Sequence, residues 1–350
     1  MFAARSNTVE RAVTSARPEA PADAWKQIVE PVQPFLDSVA RRLGEQVEAF
    51  DPEISAYARY ALTNQGKQLR PALVALAAGA TGRLSDPHAT VAVIVEMVHL
   101  ATLVHDDIMD SAEIRRRRPT LAANWGNSIS VLVGDCLFAR ALQLAASFPT
   151  PVVCREVSAA TNTVCSGEIL QSHRRLNFAV SRADYFKVVA MKTGELFALS
   201  CDLGARLNAV PEAQRVAMRN YGLALGTAYQ VYDDCLDVFG SEAEAGKSLG
   251  TDLASGKLTL PLLVVLERSE PAEREQLKEW IMTWRPHYLP RVLELLAKYG
   301  SLAESRAVIG QFLADAQANL SALSLSESRV ALVMLTEFLA SATEALGKKP

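Results

Sequence analysis

Two stretches of this 350-residue chain are apolar on nearly every face that a helix would present. The first opens at Ser85-Asp86-Pro87 and runs through VAVIVEMVHLATLV into His105-Asp106-Asp107; the second runs from about Pro211 through YGLALGTAYQVYDDCLDVF to Gly240. A helix apolar all round has to be enclosed by other helices or by lipid. Glu96 and His99 interrupt the first stretch, so enclosure in a large protein core is expected, with no transmembrane helix. Asp86 suits an N-cap and Pro87 the first helical position, while Gly240 suits a left-handed residue beyond the second helix.

Elsewhere, runs such as AWKQIVEPVQPFLDSVARRLGEQVEAF and RVLELLAKYG space apolar residues three and four apart, and no series of alternating β-branched strands is present. The expected fold class is all-α, a single large helical bundle. No Gly/Ser linker divides it, so one domain over residues 22–350 follows a flexible N-terminal tail, 1–21. That tail carries Arg5, Arg11 and Arg17 but lacks the apolar core of a secretory signal, and Glu10 and Glu19 weaken a presequence reading. With 49% hydrophobic and 21% charged residues and a net charge of -3, the chain is neither disordered nor held on nucleic acid by bulk charge. Five cysteines without CxxC spacing read as buried, reduced thiols in a cytoplasmic protein, with no zinc site.

Both apolar helices end in the same acidic pattern. Asp106, Asp107 and Asp110 form DDxxD, and Asp233, Asp234 and Asp237 form it again. Positions i and i+4 lie on one helical face about 5–6 Å apart. At an effective dielectric near 20, two carboxylates at that distance repel by roughly 3 kcal/mol. The negative end of the helix dipole adds to the cost. One such trio reads equally well as a solvated acidic turn. Two, each closing an apolar helix, point to hard divalent cations; magnesium takes one or two carboxylates and completes its shell with water and substrate phosphate. Arg115, Arg116, Arg117 and Arg118 follow the first trio closely; alone such a run reads first as a solvated loop or else as a nucleic-acid patch, but beside an aspartate cluster its guanidinium groups could clamp a diphosphate. Further cations lie in Gly66-Lys67-Gln68-Leu69-Arg70, in Lys192-Thr193-Gly194, and at Lys247 and Lys257.

In this order, GKxLR, HxxxxxHDDxxD, RRxxPT, KTG, QxxDDxxDxxG and GKxxGxDxxxGKxT resemble the trans-isoprenyl diphosphate synthases, or polyprenyl synthetases, over roughly residues 65–263. The resemblance implies an isoprenoid synthase fold around a deep central cavity, a homodimer, and a prenyltransferase that joins an allylic diphosphate to isopentenyl diphosphate. It implies about three magnesium ions, with Asp106, Asp110 and Asp233 as direct ligands and Asp107, Asp234 and Asp237 holding water or the outer shell. Arg115, Lys192, Gln230, Lys247 and Lys257 match residues on the allylic diphosphate, with Thr193 near its reacting end. Lys67, Arg70, His99 and Arg116 match those that hold isopentenyl diphosphate. Arg117 stands where the family usually has Gly.

In short-chain relatives an aromatic residue four or five positions before the first aspartate closes the cavity. Here these positions are Thr102 and Ala101, with Val98 deeper, so the resemblance implies a long all-trans product of the octaprenyl or solanesyl kind for quinone side chains, handed on to a membrane. A geranylgeranyl or farnesyl diphosphate synthase is the alternative within the family. A non-catalytic subunit of a heteromeric synthase would usually have lost one aspartate motif, and a terpene cyclase would replace the second and lack GKxLR.

Overall fold

The computed structural model describes residues 21–63, 66–116, 118–240 and 249–348. The tail expected over 1–21 lies outside this set except for Pro21. The first half consists of α1 (Pro21–Val29), α2 (Gln33–Glu45), α3 (Ser55–Thr63), α4 (Leu69–Thr81), α5 (Asp86–Met109), α6 (Leu121–Trp125), α7 (Asn127–Ala146) and α8 (Val152–His173). Then come α9 (Arg182–Val189), a π-helical turn (Ala190–Gly194), α10 (Glu195–Arg206), α11 (Glu212–Phe239), α12 (Thr251–Ala254), α13 (Leu260–Arg268), α14 (Pro271–Met282), α15 (Leu289–Lys298), α16 (Ser301–Asn319) and α17 (Glu327–Ala345). The all-α class holds. The departure is a two-residue antiparallel ladder, β1 (Ile114–Arg115) with β2 (Arg118–Pro119), in the arginine loop.

The apolar stretches are the central helices α5 and α11. α5 packs on α4 and α7, and α11 on α10 and α16. One apolar cluster gathers around α11, with Tyr221, Val231 and Val265 in it; a second gathers around α5, with Ile94, Met97 and Leu199. Glycine sets how closely these layers approach. A Cβ on Gly222 of α11 would stand 2.4 Å from the Phe197 carbonyl oxygen of α10, and one on Gly204 of α10 would stand 2.5 Å from the Val74 carbonyl oxygen of α4. Both glycines therefore permit backbone contact along one continuous α4–α10–α11 seam.

Local expectations shift in three places. The N-cap of α5 is Ser85, whose backbone N–H donates to His88 Nδ1 at 3.1 Å, so Asp86 and Pro87 are already helical. Gly240 is extended, with φ -81°, and not left-handed, because its N–H closes on the Leu236 carbonyl and the helix ends there without a left-handed residue. Only Cys201 and Cys235 are buried; Cys136 and Cys154 are half-buried and Cys165 is exposed, since α7 and α8 each keep an open face.

Among the described residues, two helices, α5 and α7, are long and apolar enough to cross a membrane by length and composition. α5 is mostly enclosed, as a core helix should be. Only 33% of the corresponding window of α7 is buried, and Val131 and Leu132 stand open to solvent.

Candidate active site

The ends of α5 and α11 open on one cavity of about 1410 Å³. Asp106 and Asp110 from the first trio and Asp233 and Asp234 from the second line it. The other two aspartates do not, because each is used by the protein itself. Asp107 is buried behind the wall, where Arg115 Nε donates to it at 2.5 Å. Asp237 is fully buried and accepts from the Thr251 hydroxyl at 2.7 Å and the Asp252 N–H at 3.0 Å, which ties α12 to α11. This tie places Lys257, just beyond α12, at the cavity.

Cations of the chain offset much of the repulsion within the first trio. Lys192 Nζ is 3.5 Å from Asp106, forms an ion pair with Glu168, and donates to Gln171 at 3.1 Å. Asp110 lies between Arg175 at 2.8 Å and Lys257 at 3.2 Å. Burial raises the pKa of Asp106, with Lys192 opposing it. Burial acts the same way on Asp110, but Lys257 and Lys192 outweigh it and hold that carboxyl below its ordinary value.

The π turn carries Lys192 and Thr193 to the cavity wall; insertions of this kind recur at functional sites. From Thr193 a hydrogen-bond chain crosses to the second trio. Its hydroxyl donates to Gln230 Oε1 at 2.7 Å, Gln230 Nε2 donates to Asp234 at 2.8 Å, and the Tyr185 hydroxyl donates to the other Asp234 oxygen at 2.6 Å. Burial, followed by repulsion from Asp252, pushes Asp234 up to about 8.

A cationic region lies elsewhere on the wall. Arg70 is held 5.1 Å above the Phe197 ring, and Lys67 Nζ is 5.5 Å from the Phe338 ring centre. Arg116, at φ 51°, brings its guanidinium against Gly66, where any Cβ would collide with it at 2.6 Å. Desolvation lowers the pKa of Lys67, Arg70 and Arg116. It lowers His99 well below its ordinary value, assisted by Arg70 and Arg116, so this imidazole is neutral. Glu96, buried on the same wall, was passed over as a site residue; burial raises its pKa while Arg70 and Arg116 draw it down. The signal was a carboxylate inside an apolar helix, three residues before His99.

Glu168, Gln171, Tyr185 and Arg175 were likewise missed, and no sequence pattern singled them out. The arginine run divides its duties: Arg115 and Arg116 line the cavity, whereas Arg118 sits 4.4 Å over the Tyr60 ring and Tyr60 donates to the Pro119 carbonyl at 2.7 Å. Arg117 and Lys247 lie outside the described residues. Of the chain-length positions, Thr102 lines the cavity, its hydroxyl turned back to the His99 carbonyl at 2.7 Å. Val98 and Ala101 do not line it; they are packed in the second apolar cluster, on another face of α5. His105 is a packed, hydrogen-bonded residue, with Nε2 3.1 Å from the Val131 carbonyl oxygen and the ring over Gly134.

Among the described residues, no three acidic, histidine or cysteine side chains converge on one metal position. The available donors, Asp106, Asp110 and Asp233, are hard carboxylate oxygens around a cavity wide enough to admit an anion. They suit magnesium held jointly by one or two carboxylates and a phosphate better than a closed protein cage.

The polyprenyl synthetase family model matches residues 51–296. The chain belongs to this family. It is 34% identical to the octaprenyl diphosphate synthase of Escherichia coli (strain K12) over 75% of this chain and 81% of that one. It is 29% identical to a short chain isoprenyl diphosphate synthase of Methanothermobacter thermautotrophicus over 89% of this chain and 98% of that one. Its fold superposes on a polyprenyl synthase of Caulobacter crescentus CB15, solved in complex with calcium and isoprenyl diphosphate, with TM-score 0.86 and 32% identity over 93% and 99% of the two chains. The chain is therefore a prenyltransferase of the isoprenoid synthase fold. As a check on the hydrogen-bond chain, Tyr185→Phe leaves Asp234 with one donor fewer in a buried setting and should cost about 1–3 kcal/mol in urea unfolding. An unchanged midpoint would mean that Tyr185 does not support Asp234.

Proposed function

We propose that this prenyltransferase extends an allylic diphosphate by successive condensations with isopentenyl diphosphate and releases a long all-trans polyprenyl diphosphate. The observation that carries the reading is one cavity with two kinds of anion site: carboxylates matched for metal-bridged diphosphate at the helix ends, and Lys67, Arg70 and Arg116 with His99 elsewhere on the wall. The first suits the diphosphate that leaves, the second one that stays bound.

Asp106, Asp110 and Asp233 would hold magnesium, about three ions in all, with Asp234 in the outer shell and Asp107 and Asp237 steadying Arg115 and the Lys257 loop. Magnesium, when bound, offsets the charge that builds on the departing pyrophosphate. Arg115, Lys192, Lys257 and, from the sequence, Lys247 bind the allylic diphosphate and add fixed positive charge at that oxygen. The allylic C–O bond breaks, the alkene of isopentenyl diphosphate supplies the electron pair for the new C–C bond, and the proton then lost passes to pyrophosphate. Thr193 and Gln230 turn oxygen dipoles toward the allylic carbon. Lys67, Arg70, His99 and Arg116 orient the second substrate.

Long-chain synthesis rests on Thr102, a small side chain on the wall one turn from Asp106, and the product tail would pass it on the way down. A homodimer accounts best for the open apolar face of α7, on which Leu132 is exposed. A second copy of this chain is the proposed occupant, and both intact aspartate clusters favour a catalytic subunit over a silent one. A cytoplasmic enzyme that passes its product to a membrane fits the same picture.

Three outcomes test this reading. Purified protein with labelled isopentenyl diphosphate and allylic primers should be active only with magnesium, and Asp106→Ala or Asp233→Ala should abolish turnover with a native circular dichroism spectrum; near-normal turnover in either would sink the metal assignment. Thr102→Phe should shorten the product at an overpacking cost of about 1–3 kcal/mol, read by product sizing, and an unchanged length in an active variant would exclude passage at Thr102. Leu132→Glu should convert a dimer to monomer in light scattering, whereas a wild-type monomer would remove the dimer proposal.

A further inference from the structure

The turn that follows α8 brings Arg175 to Asp110, and the surrounding contacts hold it there. Arg174 fixes the turn from one side, donating to the Asp184 carboxylate at 2.8 Å and to its carbonyl at 3.0 Å. On the other side the Leu176 N–H donates to the Gly256 carbonyl at 2.9 Å, with both residues at positive φ, 58° and 70°. A Cβ on Gly256 would meet the Leu176 side chain at 2.7 Å, so the two loops touch as closely as glycine allows. Arg175 thus lies next to the loop that carries Lys257, and the two cations take one oxygen each of Asp110: Arg175 on Oδ1 and Lys257 on Oδ2. Arg175 Nε is buried with no hydrogen-bond partner. This guanidinium has donor capacity that the free protein does not use.

We propose that Arg175 is a built-in counter-cation that makes metal loading at Asp110 depend on the arrival of diphosphate. The inference rests on the metal reading above. A divalent ion approaching Asp110 in the free protein finds both carboxylate oxygens engaged and two positive charges at hydrogen-bond distance from its ligand. Diphosphate changes that balance. Its oxygens give the accessible end of the Arg175 guanidinium a new acceptor, in the forked geometry that such groups use with phosphate. Asp110 is then released toward the metal while the anion neutralises the cations around it. Arg175 is a positioning residue on this account, acting through Asp110. By thermodynamic reciprocity, whatever factor diphosphate adds to metal affinity, the metal adds to diphosphate affinity.

The test measures binding to the resting protein, using Mn²⁺ by electron paramagnetic resonance, with and without inorganic pyrophosphate. Wild-type protein should bind Mn²⁺ weakly alone and about tenfold or more tightly with pyrophosphate. Arg175→Gln should bind Mn²⁺ alone several-fold more tightly than wild type, and the enhancement by pyrophosphate should shrink by a similar factor. Arg175→Lys, which keeps the charge, should stay close to wild type for Mn²⁺ alone, and it keeps the question open to measurement should the Gln variant misfold. Equal Mn²⁺ affinity in wild type and a folded Gln variant, with the enhancement intact, would overturn the proposal and leave the metal reading standing. A Lys variant that binds Mn²⁺ as tightly as the Gln variant is expected to would also overturn it. A wild-type protein that takes up no Mn²⁺ even with pyrophosphate would remove both.

Discussion

Lys192 stands 3.5 Å from Asp106 and pairs with Glu168, and the surrounding architecture brings those three charges together at low exposure. Lys192 comes from a π turn, Asp106 from the end of an apolar helix, and Glu168 from a third element. Burying one such charge alone would cost several kcal/mol. The arrangement persists because each charge answers another, as Arg115 answers Asp107 and Lys257 answers Asp110. The close helix seams follow from the same need. Gly222 and Gly204 let α10 sit hard against α11 and α4, and α10 in turn positions the π turn.

The match is incomplete, and the imbalance has a direction. Asp234 is raised to about 8 at one end of the cavity, while Lys67, Arg70 and Arg116 are all depressed at another. In each case burial comes first among the causes, and it disfavours the charged form. Cations without enough anion invite phosphate, and crowded carboxylates invite divalent metal.

Much of this was legible because helical pitch and charge obey simple rules. The enclosure of α5 and α11, and the meeting of Asp106 and Asp233 at one cavity, followed from apolar periodicity and from the repetition of DDxxD. The face of α5 did not. A helix apolar all round gives no phase, so Ala101 and Thr102 were equivalent on paper, yet only Thr102 lines the cavity. The phase was present in the few polar residues: Glu96, His99, Thr102 and Asp106 advance by three, three and four positions along one stripe. Arg175 was illegible for another reason. Its partner is 65 residues away, and only the docking of two loops at Leu176 and Gly256 brings the pair together.

A cavity that generates an allylic cation must also keep nucleophiles out of its path, and here the charge pattern does a second task. Cys165 lines the cavity, where its thiolate would be a nucleophile. Burial raises the pKa of that thiol, and Asp106 and Glu168 raise it further. The thiolate is the reactive form of a cysteine, and both effects disfavour it at Cys165. Thr193 is handled differently. Its hydrogen is committed to Gln230, so in the proposed reaction its oxygen lone pairs would face the cation as a fixed dipole. Gln230 is held from the other side by Asp234, which is held by Tyr185, so neither oxygen is free to advance on the carbon. Under the proposed mechanism this hydrogen-bond chain would stabilise a cation without capturing it, with groups that converge on the second aspartate cluster.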